Sequence, residues 1–359
     1  MQPAFHETWH LISWIAVLAA ILVSPVLTTL VVSPEARYLV MSKRVGPSDW
    51  HTTQILKETA PLDILFLGNS RMLSAMDHAA LQQEVRAPGA LLKSATIAAN
   101  FNGYDLTYTF LTDFFSQRRA RLIVLNYPDF PQTDSHPGEK YIRRLGQPDP
   151  GLDRRTPGLA ATNYGEMALI GPRLALASVI PPGAFSRAGY RTMKEFPNLE
   201  DTHGTYAPDL GYQESKTTPA AAFVPRVLSD TPAPAILIRA GASVPAEVVL
   251  TDTSSTPIES AYLPAIKALC EKNGVALALM QLPIANNPDR HAIAVSSQVL
   301  AFGIPIIAAS LERMFGDAPT ERIREYYTNY IHFNSNGARL SAKVYGPALQ
   351  MLLEPTGGL

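Results

Sequence analysis

Asp63–Gly68 reads DILFLG and runs directly into Asn69-Ser70-Arg71. A short, continuous apolar run bounded by a turn signal predicts a buried strand. A small glycine at its end suits a strand-to-helix turn and lets the Ser70 hydroxyl stand exposed at a sheet edge. The same alternation continues outward from this point. Ala75–Val85 has helical spacing, with Met76, Ala79, Ala80 and Leu81 apolar. Ala90–Ala98 predicts a second strand. Tyr104, Tyr108, Leu111 and Phe115 share one helical face. Arg121–Asn126 (RLIVLN) predicts a third strand.

Beyond Pro128 the pattern breaks. Fifteen of the thirty prolines lie between Pro128 and Pro234. Residues 130–255 read as an insertion over the sheet, with one helix near Glu166–Val179. Its Tyr206 and Tyr212, beside Gly204 and Gly211, are expected to pack a loop-rich lid; stacking on sugar rings is the functional alternative. The alternation then resumes. Ala261–Asn273 predicts a helix ended by Gly274, Val275–Leu282 a fourth strand, and Ile304–Ala308 a fifth. Asn334 is placed to cap a last helix, Ser335–Leu353, with Pro347 positioned to kink it. Strands alternating with helices imply an α/β fold, with a parallel sheet covered on both faces. Ligands bind such sheets at the C-terminal ends of the strands.

Upstream, Leu11–Val32 (LISWIAVLAAILVSPVLTTLVV) carries no charge over 22 residues. About 20 apolar residues suffice to cross the hydrocarbon of a bilayer. The run exceeds a signal-peptide core and lacks a basic leader, so an uncleaved anchor is expected. The chain then divides into a tail (1–10), a membrane helix (11–32), a juxtamembrane linker (33–60) and a main domain (61–355). Arg37, Lys43 and Arg44 follow the span and no Lys or Arg precedes it, which by the positive-inside rule alone would keep the main domain in the cytoplasm.

Composition narrows the function further. The 359 residues carry 30 basic and 31 acidic side chains, a net charge of −1, so there is no electrostatic footprint for nucleic acid. The single cysteine, Cys270, excludes a disulfide framework and a cysteine-rich zinc site. It falls in the apolar stripe of Leu263, Ile266 and Leu269, as a buried, inert thiol would. His6-Glu7-Thr8-Trp9-His10 spells HExxH, but it stands at the membrane end with no evident third ligand or cleft, and reads as a chance match. No cofactor or metal is expected.

Two segments carry chemistry: Gly68-Asn69-Ser70-Arg71 after the first strand, and Asn329-Tyr330-Ile331-His332-Phe333-Asn334 before the last helix. A serine hydroxyl is a weak nucleophile until a histidine takes its proton. Here the chain resembles the SGNH/GDSL hydrolase superfamily. LFLGNSR at Leu65–Arg71 looks like that family's first block, with Ser70 in the nucleophile position. NYIHFNSNGARL at Asn329–Leu340 looks like its last block, in which an acid stands three residues before the histidine. The resemblance covers roughly residues 60–128 and 255–353, and is nearest to membrane-anchored, extracytoplasmic members that resemble polysaccharide O-acetylation proteins.

The sequence departs from the family pattern at informative places. Asn329 occupies the acid position; its amide can orient an imidazole but cannot stabilise an imidazolium as a carboxylate does. The second-block glycine is missing from Ile97-Ala98-Ala99-Asn100. Asn100, then Asn102 or Asn126, are the candidate oxyanion donors beside the Ser70 amide. Arg71 is expected to be an ion-pair partner rather than an anion clamp.

The resemblance implies a flavodoxin-like three-layer domain anchored with its catalytic part outside the cytoplasm. It implies an acyl esterase or O-acetyltransferase acting on an O-acylated cell-surface glycan, in which Ser70 attacks, His332 relays the proton and Asn329 orients His332. Proteins of a polysaccharide assembly complex are the partners it suggests. A catalytically silent glycan-binding or scaffold protein is the competing expectation.

Overall fold

The computed structural model describes residues 4–45, 48–86, 91–99, 103–147, 150, 157–179 and 232–354. The helices are α1 (Ala4–Val31), α2 (Pro34–Val45), α3 (Ser48–Thr52), α4 (Ser70–Ala75), α5 (His78–Glu84), α6 (Tyr104–Gln117), α7 (Glu139–Ile142), α8 (Pro157–Val179), α9 (Pro257–Lys272), α10 (Ser297–Ala301), α11 (Leu311–Phe315), α12 (Thr320–Arg324) and α13 (Ser335–Leu353). The strands are β1 (Leu62–Gly68), β2 (Ser94–Ala98), β3 (Ala120–Asn126), β4 (Ile236–Ile238), β5 (Val248–Thr251), β6 (Ala276–Gln281), β7 (Ile293–Ser296) and β8 (Ile306–Ala308).

Six strands form one sheet in the order β2-β1-β3-β6-β8-β4. All neighbours run parallel except β4, which pairs antiparallel with β8. The apolar strand runs have side chains on both faces, and each face has its own core. Leu65, Leu67, Ile123 and Leu125 pack with α2, α6 and α9. Ile64, Phe66, Leu122 and Val124 pack with α4, α5 and α13. Burial on both faces explains why these strands read as continuous apolar runs rather than alternating ones.

The helix starts are set by side chains. Thr256 and Glu259 form a reciprocal capping box at α9. Asn334 Oδ1 accepts from the backbone N–H groups of Asn336 and Gly337 and starts α13. The helix expected over Ala75–Val85 is α5, which starts only at His78: α4 ends at Ala75, and Asp77 accepts a bond from the Ala80 N–H and opens a new first turn.

Two sequence expectations need correction. The stretch 33–60 is not a linker. It folds as α2, α3 and a π-helical turn (Thr53–Lys57), and buries Tyr38, Val40, Met41 and Ile55 in the core. Arg37 is fully buried and donates to the carbonyls of Val32 and Arg143. Trp50 Nε1 and His51 Nε2 donate to Thr96 O and Ala98 O of β2, each over 2.8 Å. The insertion, expected over 130–255, also ends sooner. Ile236–Ile238 adds an edge strand to the main sheet, and β5 pairs with β7 in a separate two-stranded ribbon. These strands are only three or four residues long, too short to show a period. The helix expected near Glu166–Val179 is the C-terminal half of α8. Tyr206, Tyr212, Gly204 and Gly211 lie outside the described residues.

α1 is one helix long and apolar enough to cross a membrane, over Thr8–Val31. Cys270 is free and buried, and burial pushes its thiol up to about 12.

Candidate active site

β1 ends at Gly68, and the chain turns at once into α4. Asn69 is the N-cap: its Oδ1 accepts from the Arg71 N–H over 2.9 Å. Its own N–H donates to Asn126 Oδ1 at the end of β3, over 2.8 Å. Ser70 therefore stands at the first position of a helix, held by bonds from the neighbouring strand. Its backbone N–H belongs to a first helical turn, where no intrahelical acceptor exists.

The second segment comes from the far end of the chain. Between α12 and α13 it folds back on itself through a bridge between Tyr327 and Phe333. Asn329 Oδ1 accepts from the backbone N–H groups of Ile331 and His332, both over 3.0 Å. Those donors identify the atom facing inward as the oxygen rather than the amide nitrogen. The same oxygen lies 3.1 Å from His332 Nδ1, so Nδ1 carries the proton. His332 Nε2 is then the unprotonated nitrogen, and it lies 2.8 Å from Ser70 Oγ. The hydroxyl donates to a ring held in the tautomer that a general base requires.

His332 is 7% exposed. Burial lowers its pKa to about 4, with the positive charge of Arg71 adding to the effect. The imidazole is neutral at pH 7, competent to accept a proton, and the imidazolium is costly here. Asp129 and Glu325, two other carboxylates to be considered for His332, serve other cations. Asp129 Oδ2 takes Arg71 over 2.6 Å, and Glu325 pairs with Arg322 over 2.7 Å.

Arg71, 3% exposed, is an ion-pair partner, and it also donates to the Leu282 carbonyl. Burial raises the pKa of Asp129 even though Arg71 opposes the shift. Gln281 donates to Asp129 Oδ1 at 3.4 Å, and the Arg71 guanidinium stacks 5.5 Å from the Phe130 ring centre. Together with Ile284 and Asn287 these residues line a cleft of about 240 Å³. A larger cleft of about 580 Å³ is lined by Ala120, Ala276 and Gly303, at the starts of β3 and β6. That is the opposite edge of the sheet from Ser70, whereas the smaller cleft reaches the Ser70 end through Arg71 without being lined by Ser70 or His332 themselves.

Of the candidate oxyanion donors, Asn126 is 5% exposed and uses its Oδ1 to hold the Asn69 turn from behind. Asn100 and Asn102 lie outside the described residues. The sequence pointed to Ser70, His332, Asn329 and Arg71, and the structure brings them together. It did not reveal Phe130 and Gln281 as cleft residues; Gln281 ends β6 and Phe130 lies four residues past the end of β3, and those positions at the C-terminal ends of strands were the available signal. Among the described residues no group of three or more His, Cys, Asp or Glu side chains could hold a metal ion. Comparison of the chain with protein-family models, curated proteins and solved structures finds no match.

Proposed function

We propose that this protein is a membrane-anchored, SGNH-type acyl esterase or O-acyltransferase acting on an O-acylated cell-surface glycan. The observation that carries the reading is the line from Ser70 Oγ through the His332 ring to Asn329 Oδ1, at 2.8 and 3.1 Å. Ser70 attacks the acyl carbonyl carbon as His332 Nε2 takes its proton. The oxyanion that forms draws on the Ser70 N–H and on neighbouring asparagine amides. His332 returns the proton to the departing sugar oxygen, leaving an acyl-serine. Water or a second sugar hydroxyl then attacks that ester, with His332 again as base. This chemistry needs no cofactor.

The strand order supports the flavodoxin-like, SGNH-type reading. Taken in chain order, the five parallel strands run 2-1-3-4-5, and Ser70 follows β1 beside β3, at the point where the order reverses. The α1 helix supports a single-pass anchor; the family resemblance, against the flanking charges, favours a main domain outside the cytoplasm, where acylated glycans are found and polysaccharide assembly proteins are available as partners. A C-terminal alkaline phosphatase fusion is expected to be active. An inactive fusion, with a bright cytoplasmic fluorescent fusion at the same site, would reverse the orientation.

A second reading has a specific observation in its favour. Asn329 stands where a carboxylate would stabilise the imidazolium, and the His332 pKa is depressed. A catalytically silent glycan-binding or scaffold protein would tolerate both. A fluorophosphonate probe separates the two readings. Labelling that disappears in Ser70→Ala supports the enzyme; an unlabelled but folded wild-type protein supports the silent scaffold.

A further inference from the structure

We propose that α8 lies within the membrane boundary, packed on α1 and turning Leu169 and Leu176 to lipid; this rests on the reading of α1 as a membrane anchor. The argument begins with length. Residues 8–20 of α1 are exposed all round. At about 1.5 Å per residue that stretch spans only about 20 Å, against about 30 Å of hydrocarbon. The missing third cannot come from the start of the helix, where His6 and Glu7 stand. It must come from the C-terminal part, so the hydrocarbon reaches to about Leu27.

That part of α1 is where α8 crosses it. Ser24 Oγ donates to Ala168 O over 2.8 Å, and Tyr164 OH donates to Leu22 O over 2.6 Å. A β-carbon on Gly171 would come within 2.2 Å of Ser24 Oγ, so the two backbones meet through small residues. Small residues and interhelical hydroxyl bonds are the means by which helices associate in lipid, where apolar contact alone gives no preference. On the side away from α8, α1 keeps apolar side chains exposed as far as Val31, at 64%.

The outer face of α8 continues that surface. Leu169 is 76% and Leu176 58% exposed, one heptad apart on one side of the helix. The opposite side enters the core through Ile170 and Leu174. The two charges of α8 stand on the leucine side, Arg173 between Leu169 and Leu176 by helical spacing: Glu166 pairs with Lys140 at 3.6 Å, and Arg173 rests on the Tyr141 ring with a stem long enough to reach headgroups. Exposed leucines next to a membrane helix, at a depth the bilayer must occupy, fit lipid rather than water.

Nitroxide labels on the full-length protein in phospholipid nanodiscs test this. Cys270 is buried and its thiol is pushed up, so single cysteines can be labelled over it. Labels go at Leu18→Cys in the anchor, Leu169→Cys and Leu176→Cys on α8, and Arg339→Cys on the opposite face of the sheet as the water reference. The expected result is a severalfold higher ratio of oxygen to water-soluble nickel collisions at residues 18, 169 and 176 than at 339. Nickel access at 169 and 176 equal to that at 339, with 18 still shielded, overturns the proposal and leaves the anchor standing. Nickel access at 18 as well overturns the anchor reading. Shielding of 169 and 176 from both reagents places them against protein, a second copy of the chain included, and also overturns lipid contact.

Discussion

Gly68 and Asn126 leave no room between them: a β-carbon at residue 68 would sit 1.7 Å from Asn126 Oδ1. That oxygen is the acceptor that fixes the Asn69 turn, so the glycine and the asparagine work as one device. Gly68→Ala is expected to push Asn126 away, strand the Asn69 N–H, and cost about 1–3 kcal/mol of stability together with most Ser70 labelling. Adding Asn126→Ala should recover part of the stability, because the obstacle is gone, but not the labelling. Chemical denaturation of the two single variants and the double variant measures the coupling.

Asn329→Asp is expected to raise hydrolysis of a small acyl ester at least tenfold. The reverse change in a serine protease costs about 10⁴ in kcat, which sets a ceiling. A carboxylate at this position can accept the same backbone N–H groups and would also stabilise the imidazolium. Unchanged or lower kcat would count against Asn329 as the residue that orients His332.

The His332 pKa predicts the pH profile. Activity requires the neutral ring, so the acid limb of kcat/KM should fall near pH 4 rather than near the ordinary 6.5. Asn329→Asp should move that limb upward. Stability follows the same sign. The folded pKa lies below the unfolded one, so this group's contribution is present above about pH 6.5 and is lost as the pH falls toward 4. An acid limb at pH 6–7 in the wild-type protein would contradict the buried environment of the ring.

Arg71 and Asp129 give a further test. Asp129→Asn leaves a buried guanidinium without its carboxylate, a change of about 3–5 kcal/mol when a pair is fully buried. Asp129 is 19% exposed, so the lower end is expected. Arg71→Gln should also destabilise the protein, but it removes the positive charge that helps to hold the His332 pKa down. Its acid limb should therefore shift upward relative to wild type. Equal limbs in the two proteins would mean that burial alone sets the His332 pKa.

The five parallel strands were legible because each is buried on both faces and reads as an uninterrupted apolar run, from Asp63–Gly68 to Ile304–Ala308. The caps at Asn334 and Gly274 were legible because their chemistry is local. What escaped the sequence depends on contacts distant in the chain. Ile236–Ile238 is a strand only because β8 offers it an edge. Residues 33–60 look polar in isolation, yet Tyr38 finds Asp113 and Trp50 finds Thr96 across the fold. At the site, the meeting of Ser70, His332 and Asn329 was expected from residue type and family resemblance. The Asn126 buttress did not, because it depends on the register of β1 against β3.

The bonds from Trp50 and His51 to β2 have a practical consequence. β2 is the outermost strand of the sheet on its side, and Thr96 O and Ala98 O are outward acceptors that a neighbouring chain could otherwise recruit. The segment before β1 thus acts as a cover against strand-to-strand association. A water-soluble form trimmed at residue 60 would lose this cover and is expected to aggregate. One beginning at Ser33 would keep it.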